Sequence, residues 1–307
     1  MFKRIIKAEI LFWAVIGLLA LIASCKEETT KNDLAENWRT ELIKEKPFDK
    51  KELSKDFKSY WYASEAEISS YKLKQERYGE IRDGHAVLVY VTEDFLPNKQ
   101  VKADSRKTDN IPVLKLNATK KFNTGIYPYS IMQSTFYPVS NNQHAIKVSS
   151  SIQEWCGHVY AQLNNKDLFE VMSHSYFESE GDENFKLEKA ILENELWVQL
   201  RVDPKSSPTG NLQIIPSFEY TRLRHKPIKA FDATASLTDN SYTITYPELN
   251  RTLTINFNSI FPFDIWSWEE TNGNLTTNAT KLKTIKSAYW NKNSNKDEIL
   301  RDTLQLN

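Results

Sequence analysis

The chain has 307 residues, and its 40 Lys and Arg balance 40 Asp and Glu, so the formal net charge is zero. With no strongly basic half, binding of nucleic acid through phosphate neutralisation is excluded. Eight glycines argue against Gly-rich phosphate loops and low-complexity disorder. Two cysteines, Cys25 and Cys156, leave no disulfide framework to find once Cys25 is modified.

At the N-terminus, Lys3, Arg4 and Lys7 precede an apolar run from Ile10 to Ile22, which ends in Ala23-Ser24-Cys25. A basic head, a short apolar stretch and small residues before a cut site make a secretory signal over residues 1–24. The run is short for a membrane span, which needs about 20 apolar residues. Cysteine directly after Ala-Ser resembles the bacterial lipobox. That resemblance implies cleavage before Cys25, acylation of Cys25 and attachment to a membrane by lipid. Residues 25–32 are polar and read as a tether. Glu27-Glu28 resembles the export tag of surface lipoproteins in some Gram-negative bacteria, though a solvated linker fits as well. The expected location is the cell envelope, at the outer membrane, with the periplasmic and surface sides both open.

Residues 33–62 predict N-terminal helices: Leu34, Trp38, Leu42 and Ile43 have helical spacing, Pro47 stops the first piece, and Leu53 and Phe57 mark a second over Lys50 to Tyr60. From residue 63 the grammar is that of strands. Ala86 to Val91 reads as a central strand. Further strands are predicted at Val113 to Phe122, Tyr127 to Tyr137, Ala145 to Ser151, Glu154 to Leu163 and Leu168 to Phe177. Asp182 to Val202 predicts a helix, since Leu187, Ile191, Leu192, Glu195 and Leu196 have its spacing and Pro204 closes it; Trp197 to Val202 also fits a strand. Strands resume at Asn211 to Arg222, Ile228 to Thr238, Ser241 to Tyr246, Arg251 to Asn256 and Phe263 to Glu269. The tail, residues 271–307, is Asn-, Thr- and Lys-rich and reads as irregular.

Short links between consecutive strands predict an antiparallel meander. The expected fold is α+β, mainly β: over residues 63–270, a curled antiparallel sheet or half-barrel clasping a helix, with the N-terminal amphipathic helices outside. This order resembles the half-barrel lipoprotein-carrier and lipid-binding folds of the bacterial envelope. It also resembles an envelope domain of strands, helix and Pro-aromatic strand, through Ile191 to Pro204, Thr209-Gly210 to Pro216 and Phe261-Pro262-Phe263 to Trp268. Ala66 to Tyr71, Gln153 to His158 and Tyr176 to Asp182 resemble a family of uncharacterised Gram-negative envelope lipoproteins. Some members carry the label of the septum-formation inhibitors, which are cytoplasmic α/β nucleotide pyrophosphatases. This chain lacks their N-terminal Ser-Pro-Arg-Arg element and carries an export signal instead.

The sharpest chemical constellation is Trp155-Cys156-Gly157-His158. On a strand, Cys156, His158 and Tyr160 share a face. A turn centred on Lys166 would set His158 opposite His174 and Cys156 opposite Tyr176. Cys156 and His158 would then suit a nucleophile and its base, and Cys156, His158 and His174 a zinc ion. The favoured alternative is a packed cysteine with hydrogen-bonded His and Tyr inside the clasp. Glu178, Glu180, Asp182 and Glu183 could meet a hard cation or form a solvated turn. Trp266, Trp268, Glu269 and Glu270 suggest sugar stacking, but neighbouring glutamates on a strand point oppositely, so an aromatic pair is preferred. Arg222, Arg224, His225 and Lys226 form a basic patch that could face anionic lipid or a glycan, or be a solvated strand end.

The expected function is non-enzymatic binding or carriage of a hydrophobic or envelope-derived ligand in an aromatic-lined cavity. A structural, partner-binding scaffold with a filled interior is the second reading, and a cysteine enzyme using Cys156 and His158 the third. No cofactor is implied. The expected partners are the membrane, through lipid on Cys25, and a hydrophobic ligand or envelope protein.

Overall fold

The computed structural model describes residues 52–140 and 144–306. The leader, Cys25, the tether and the first predicted helix lie outside the described residues.

A short helix, α1 (Lys55–Trp61), opens the described chain. The Ser54 side chain caps it by accepting from the Phe57 N–H at 3.0 Å, and Phe57 and Trp61 are buried. It overlaps the second predicted helix and ends one residue past it, at Trp61.

Eight strands follow before the segment expected to be the interior helix: β1 (Ala66–Arg77), β2 (Glu80–Leu96), β3 (Val101–Lys102), β4 (Ile111–Thr124), β5 (Tyr127–Pro138), β6 (Lys147–Glu154), β7 (Gly157–Asn165) and β8 (Phe169–His174). All but β3 join one path of neighbouring antiparallel strands, β1-β2-β4-β5-β6-β7-β8. Alternation of buried and exposed side chains, as in Tyr129, Ile131 and Gln133 of β5, points one face inward. Gly84 sits where β2 and β4 run so close that a Cβ would collide with the Lys121 carbonyl.

The predicted helix over Asp182 to Val202 begins instead as two strands, β9 (Glu183–Leu187) and β10 (Ile191–Leu192). Only Glu193–Val202 is helical, as α2. Helix-forming residues at 183–187 are overridden by pairing with β8, Phe169 facing Leu187 and Val171 facing Phe185. Within Trp197 to Val202 the helical reading holds. β9 and β10 are the two edges of the sheet, so the curl does not close.

The second arm holds β11 (Gly210–Ile215), α3 (Phe218–Leu223), β12 (Phe231–Leu237), β13 (Ser241–Tyr246), β14 (Arg251–Phe257), β15 (Ile265–Asn272) and β16 (Leu275–Ser287). β10 pairs β11 in parallel, and the other pairings of this arm are antiparallel. The strand expected over Asn211 to Arg222 stops at Ile215, because Ser217 caps a new helix by accepting from the Tyr220 N–H at 3.3 Å. The tail expected to be irregular contains β16, which joins the two arms by pairing β15 on one side and β1 on the other. It was hidden because its inward residues are Thr277 and Ala279 rather than large aliphatics. A last helix, α4 (Ile299–Thr303), brings Leu304 and Leu306 against Ala66, Ile68 and Val91 on the outside. The β domain therefore extends well past residue 270.

The main core lies in the hollow of the curl, where α2 and α3 pack against β4, β5 and β6. The architecture is a large, curled, unclosed, mainly antiparallel sheet around a helix.

Candidate functional site

Charged groups hold α2 in the hollow. Arg201, 1% exposed, donates two hydrogen bonds of 2.7 Å to the Glu67 carboxylate, itself 1% exposed. Its Nε donates to the Pro262 carbonyl at 3.0 Å, and Tyr60 donates to Glu67 at 2.5 Å. The guanidinium also lies over the Tyr90 and Trp61 rings, at 4.6 and 5.0 Å. Burial pushes the Glu67 carboxyl up, but the charge and hydrogen bonds of Arg201 outweigh it and hold it below the usual carboxylate range. At the other end of α2, Arg251 pairs bidentately with Glu193, reaches Glu270 at 2.8 Å and lies 4.2 Å from the Tyr220 ring centre. Burial likewise opposes the Glu270 charge, but Arg251 and Lys120 hold the carboxyl down at about 2.

A third group crosses from sheet to α3. Lys120 donates to Glu219 at 2.7 Å, and Gln133 links Glu219 to Asn194. Burial pushes the Glu219 carboxyl up despite Lys120. Between these groups, Trp197 and Trp268 leave a cavity of about 40 Å³. That volume holds a few waters, since one needs about 10–15 Å³. The aromatic-lined ligand cavity expected in the clasp is thus filled by α2, α3 and their ion pairs.

The Trp-Cys-Gly-His stretch does not enter the hollow. Trp155 and Cys156 form the β6–β7 turn and are exposed, so the expected burial of this cysteine is corrected. Gly157 is required because the Tyr176 ring lies where its Cβ would be. The β7–β8 register pairs Tyr160, not His158, with His174. This slip of two residues keeps the side chains on the expected face but separates the proposed partners. His158 is exposed, and His174 pairs with Asp182 at 3.2 Å. The neighbour of Cys156 is the Glu154 carboxylate, whose hydrogen bond pushes the thiol up, the opposite of nucleophile activation. Among the described residues no three His, Cys, Asp or Glu side chains are grouped to hold a metal ion.

The other sequence candidates divide. Glu180 bonds Ser175 and His225 at 2.6 Å each, and Asp182 accepts from the Ser175 N–H, so part of the acidic run braces the turn at residues 175–182. The aromatic pair of Trp266 and Trp268 is split: a register shift at Asn256/Phe257 sends Trp266 outward and leaves Trp268 inside. Glu269 is exposed while Glu270 meets Arg251, as neighbours on a strand must. The basic patch is not a solvated strand end. Arg222 belongs to α3 and is buried, and Arg224 pairs with Glu76.

A larger concavity lies outside the curl, a groove of about 670 Å³. Its edges carry the exposed rings of Tyr62, Tyr289 and Trp290, the last two 5.5 Å apart at their centres. Its floor carries charges. Glu93 pairs with Lys115 at 2.6 Å and approaches Lys102 at 3.7 Å, and Asp94 lies 3.8 Å from Arg106. Thr92 fixes the end of α1 beside the groove by donating to the Trp61 carbonyl at 2.7 Å. Aromatic walls over a charged floor suit an amphipathic or glycan-like surface, and the groove lines up no nucleophile with a base.

No family model and no curated protein matches the chain. Among solved structures, it is similar to a β-barrel-like protein of the domain of unknown function DUF1849 from Brucella abortus. The identity is 7% and the TM-score 0.42, with 72% of this chain and 96% of that chain covered.

Sequence reasoning missed the groove, because Tyr62, Glu93 and Trp290 come from three distant segments. It also missed the role of Glu195, which fastens the start of α2. Glu195 accepts from the Leu192 and Ala145 N–H groups at 3.1 and 2.7 Å and meets His144 at 2.8 Å. A glutamate two residues into an amphipathic helix was the available signal.

Proposed function

We infer that the protein is a non-enzymatic binding protein of the cell envelope, held to a membrane by lipid on Cys25, which engages its ligand or partner on the outside of the sheet. The observation that carries this reading is the contrast in space: about 40 Å³ inside the clasp against about 670 Å³ in the Tyr62–Trp290 groove. A carrier needs a hollow that accepts its cargo, and here α2 fills the hollow with satisfied ion pairs. This moves weight from carriage within the curl to recognition by its surface. The basic leader, the apolar run and Ala23-Ser24-Cys25 support the anchor and the envelope location.

The test is mass spectrometry of protein purified gently from membranes, as wild type and as Trp290→Ala. An acylated N-terminal fragment starting at Cys25 supports the anchor, and an intact residue 1–24 segment overturns it. A co-purifying envelope-derived molecule that is lost in Trp290→Ala supports the groove. The same molecule retained in full by Trp290→Ala refutes it.

A further inference from the structure

The hairpins β1–β2, β4–β5, β6–β7 and β8–β9 all turn at one end of the sheet. That rim is basic beneath and apolar above. Arg222 lies there at 7% exposure, its guanidinium 4.1 Å from the Phe177 ring centre. Neither its Nε nor its Nη1 has a hydrogen-bond partner. No carboxylate pairs with it among the described residues. Arg77, also 7% exposed, donates to the carbonyl of Leu223, the residue next to Arg222, at 2.6 Å. Its other partners are the neutral hydroxyls of Tyr78 and Tyr129, and its Nε is unpartnered. The nearby Arg224 and His225 are already matched, by Glu76 and Glu180. Two buried cations therefore remain unneutralised, whereas buried charge is normally paired. On β6, against which α3 packs, the buried Ser150 hydroxyl also lacks a partner.

The cover over Arg222 is small. Phe177 packs at a tilt against Tyr176 and meets the His225 ring edge-on, at 4.1 and 5.0 Å between centres. The Glu180–His225 bond ties this turn to the chain just after α3. Around it the hairpin tips expose Ile126 at 82% and Trp155 at 68%, with Tyr127 6.5 Å from Trp155. Apolar and amphipathic tips around a cationic mouth match an oxyanion carried at a lipid surface.

We propose that Arg222, with Arg77 beside it, is a binding site for a phosphate-type oxyanion, which Phe177 covers in the ligand-free protein. Each idle N–H of such a guanidinium can give one charge-assisted hydrogen bond to an oxyanion. This site is separate from the Tyr62–Trp290 groove, and Trp290→Ala leaves it intact.

The experiment follows thermal unfolding of the full chain in inorganic phosphate and in chloride at equal ionic strength. It is repeated in phosphatidylcholine vesicles with and without phosphatidylglycerol. Stabilisation by either anionic probe that disappears in Arg222→Met supports the site. A response to inorganic phosphate assigns it to free oxyanion, and a response to phosphatidylglycerol vesicles alone assigns it to a lipid headgroup. An equal response in Arg222→Met, or none in wild type, overturns the proposal. If Arg222→Met does not fold, Phe177→Ala decides. Uncovering the guanidinium is expected to lower the half-saturating concentration of the active probe several-fold, and an unchanged value overturns the proposal.

Discussion

Arg201 and Arg222 are both more than nine-tenths buried, and both lie against aromatic rings, but their electrostatic settings differ. Arg201 has a bidentate carboxylate, a backbone carbonyl and two ring faces, so every part of its guanidinium is used. Arg222 has a ring face and two idle N–H groups. The first holds a helix in a sheet; the second waits for a counter-charge. Burial alone does not separate a structural cation from a binding one, whereas the tally of satisfied donors does.

The comparison breaks most visibly at Glu67. Glu67→Ala strands the Arg201 charge, and loss of about 3–5 kcal/mol is expected in urea unfolding. The double change Glu67→Leu with Arg201→Met is expected to recover most of it, because no unpaired charge remains. A single variant as stable as wild type would show that the pair does not hold α2. A packing control at the same depth is Trp268→Ala, expected to cost about 3–5 kcal/mol by opening a cavity beside Trp197.

Acid should act next, on the carboxylates around α2 and α3. Glu67 and Glu270 have lowered carboxyl values in the folded protein, Glu270 at about 2. Their contribution is complete above the unfolded carboxylate value and is lost as pH falls through each folded value, which for Glu270 is about 2. Glu219 has the opposite sign: its raised value favours the folded state at low pH, and that contribution fades as pH rises through it. Unfolding midpoints of Glu270→Gln across acidic pH should therefore lose part of the wild-type acid limb. Glu219→Gln should flatten the decline on the alkaline side of the carboxylate range. Unchanged profiles would deny both carboxyls their assigned settings.

Arg222→Met should behave unlike any change at Arg201. Removing an unpaired buried cation is expected to leave stability equal or higher, since sites kept for binding often cost stability. A large loss in thermal unfolding would mean that its packing on Phe177 is structural. The smallest expected effect is at the groove, where Trp290→Ala should change stability by no more than about 0.5 kcal/mol because the ring is exposed.

Much of the fold is legible in residue order. Ser241 to Tyr246 alternates apolar and polar side chains within sharp turn signals, and its predicted strand coincides with β13. β4 and β5 were likewise visible from β-branched and aromatic runs. The failures have particular causes. At β9, helix formers yield to pairing with β8; in β16, Thr and Ala do the work of aliphatics between two strands; after Ile215, a serine cap converts a strand into α3. The Trp-Cys-Gly-His stretch promised chemistry because its face was readable, but whether that face looked inward was not.

By itself the sequence determined the strand-rich class and the helix in the middle of the chain, because these depend on local periodicity and composition. Tertiary structure alone decided which charges meet: Glu67 with Arg201 and Glu193 with Arg251 are far apart in the chain. It also decided that Arg222 meets no carboxylate among the described residues. Pairing of buried charge is set by register and by the curl of the sheet, and neither is written in any short stretch of residues.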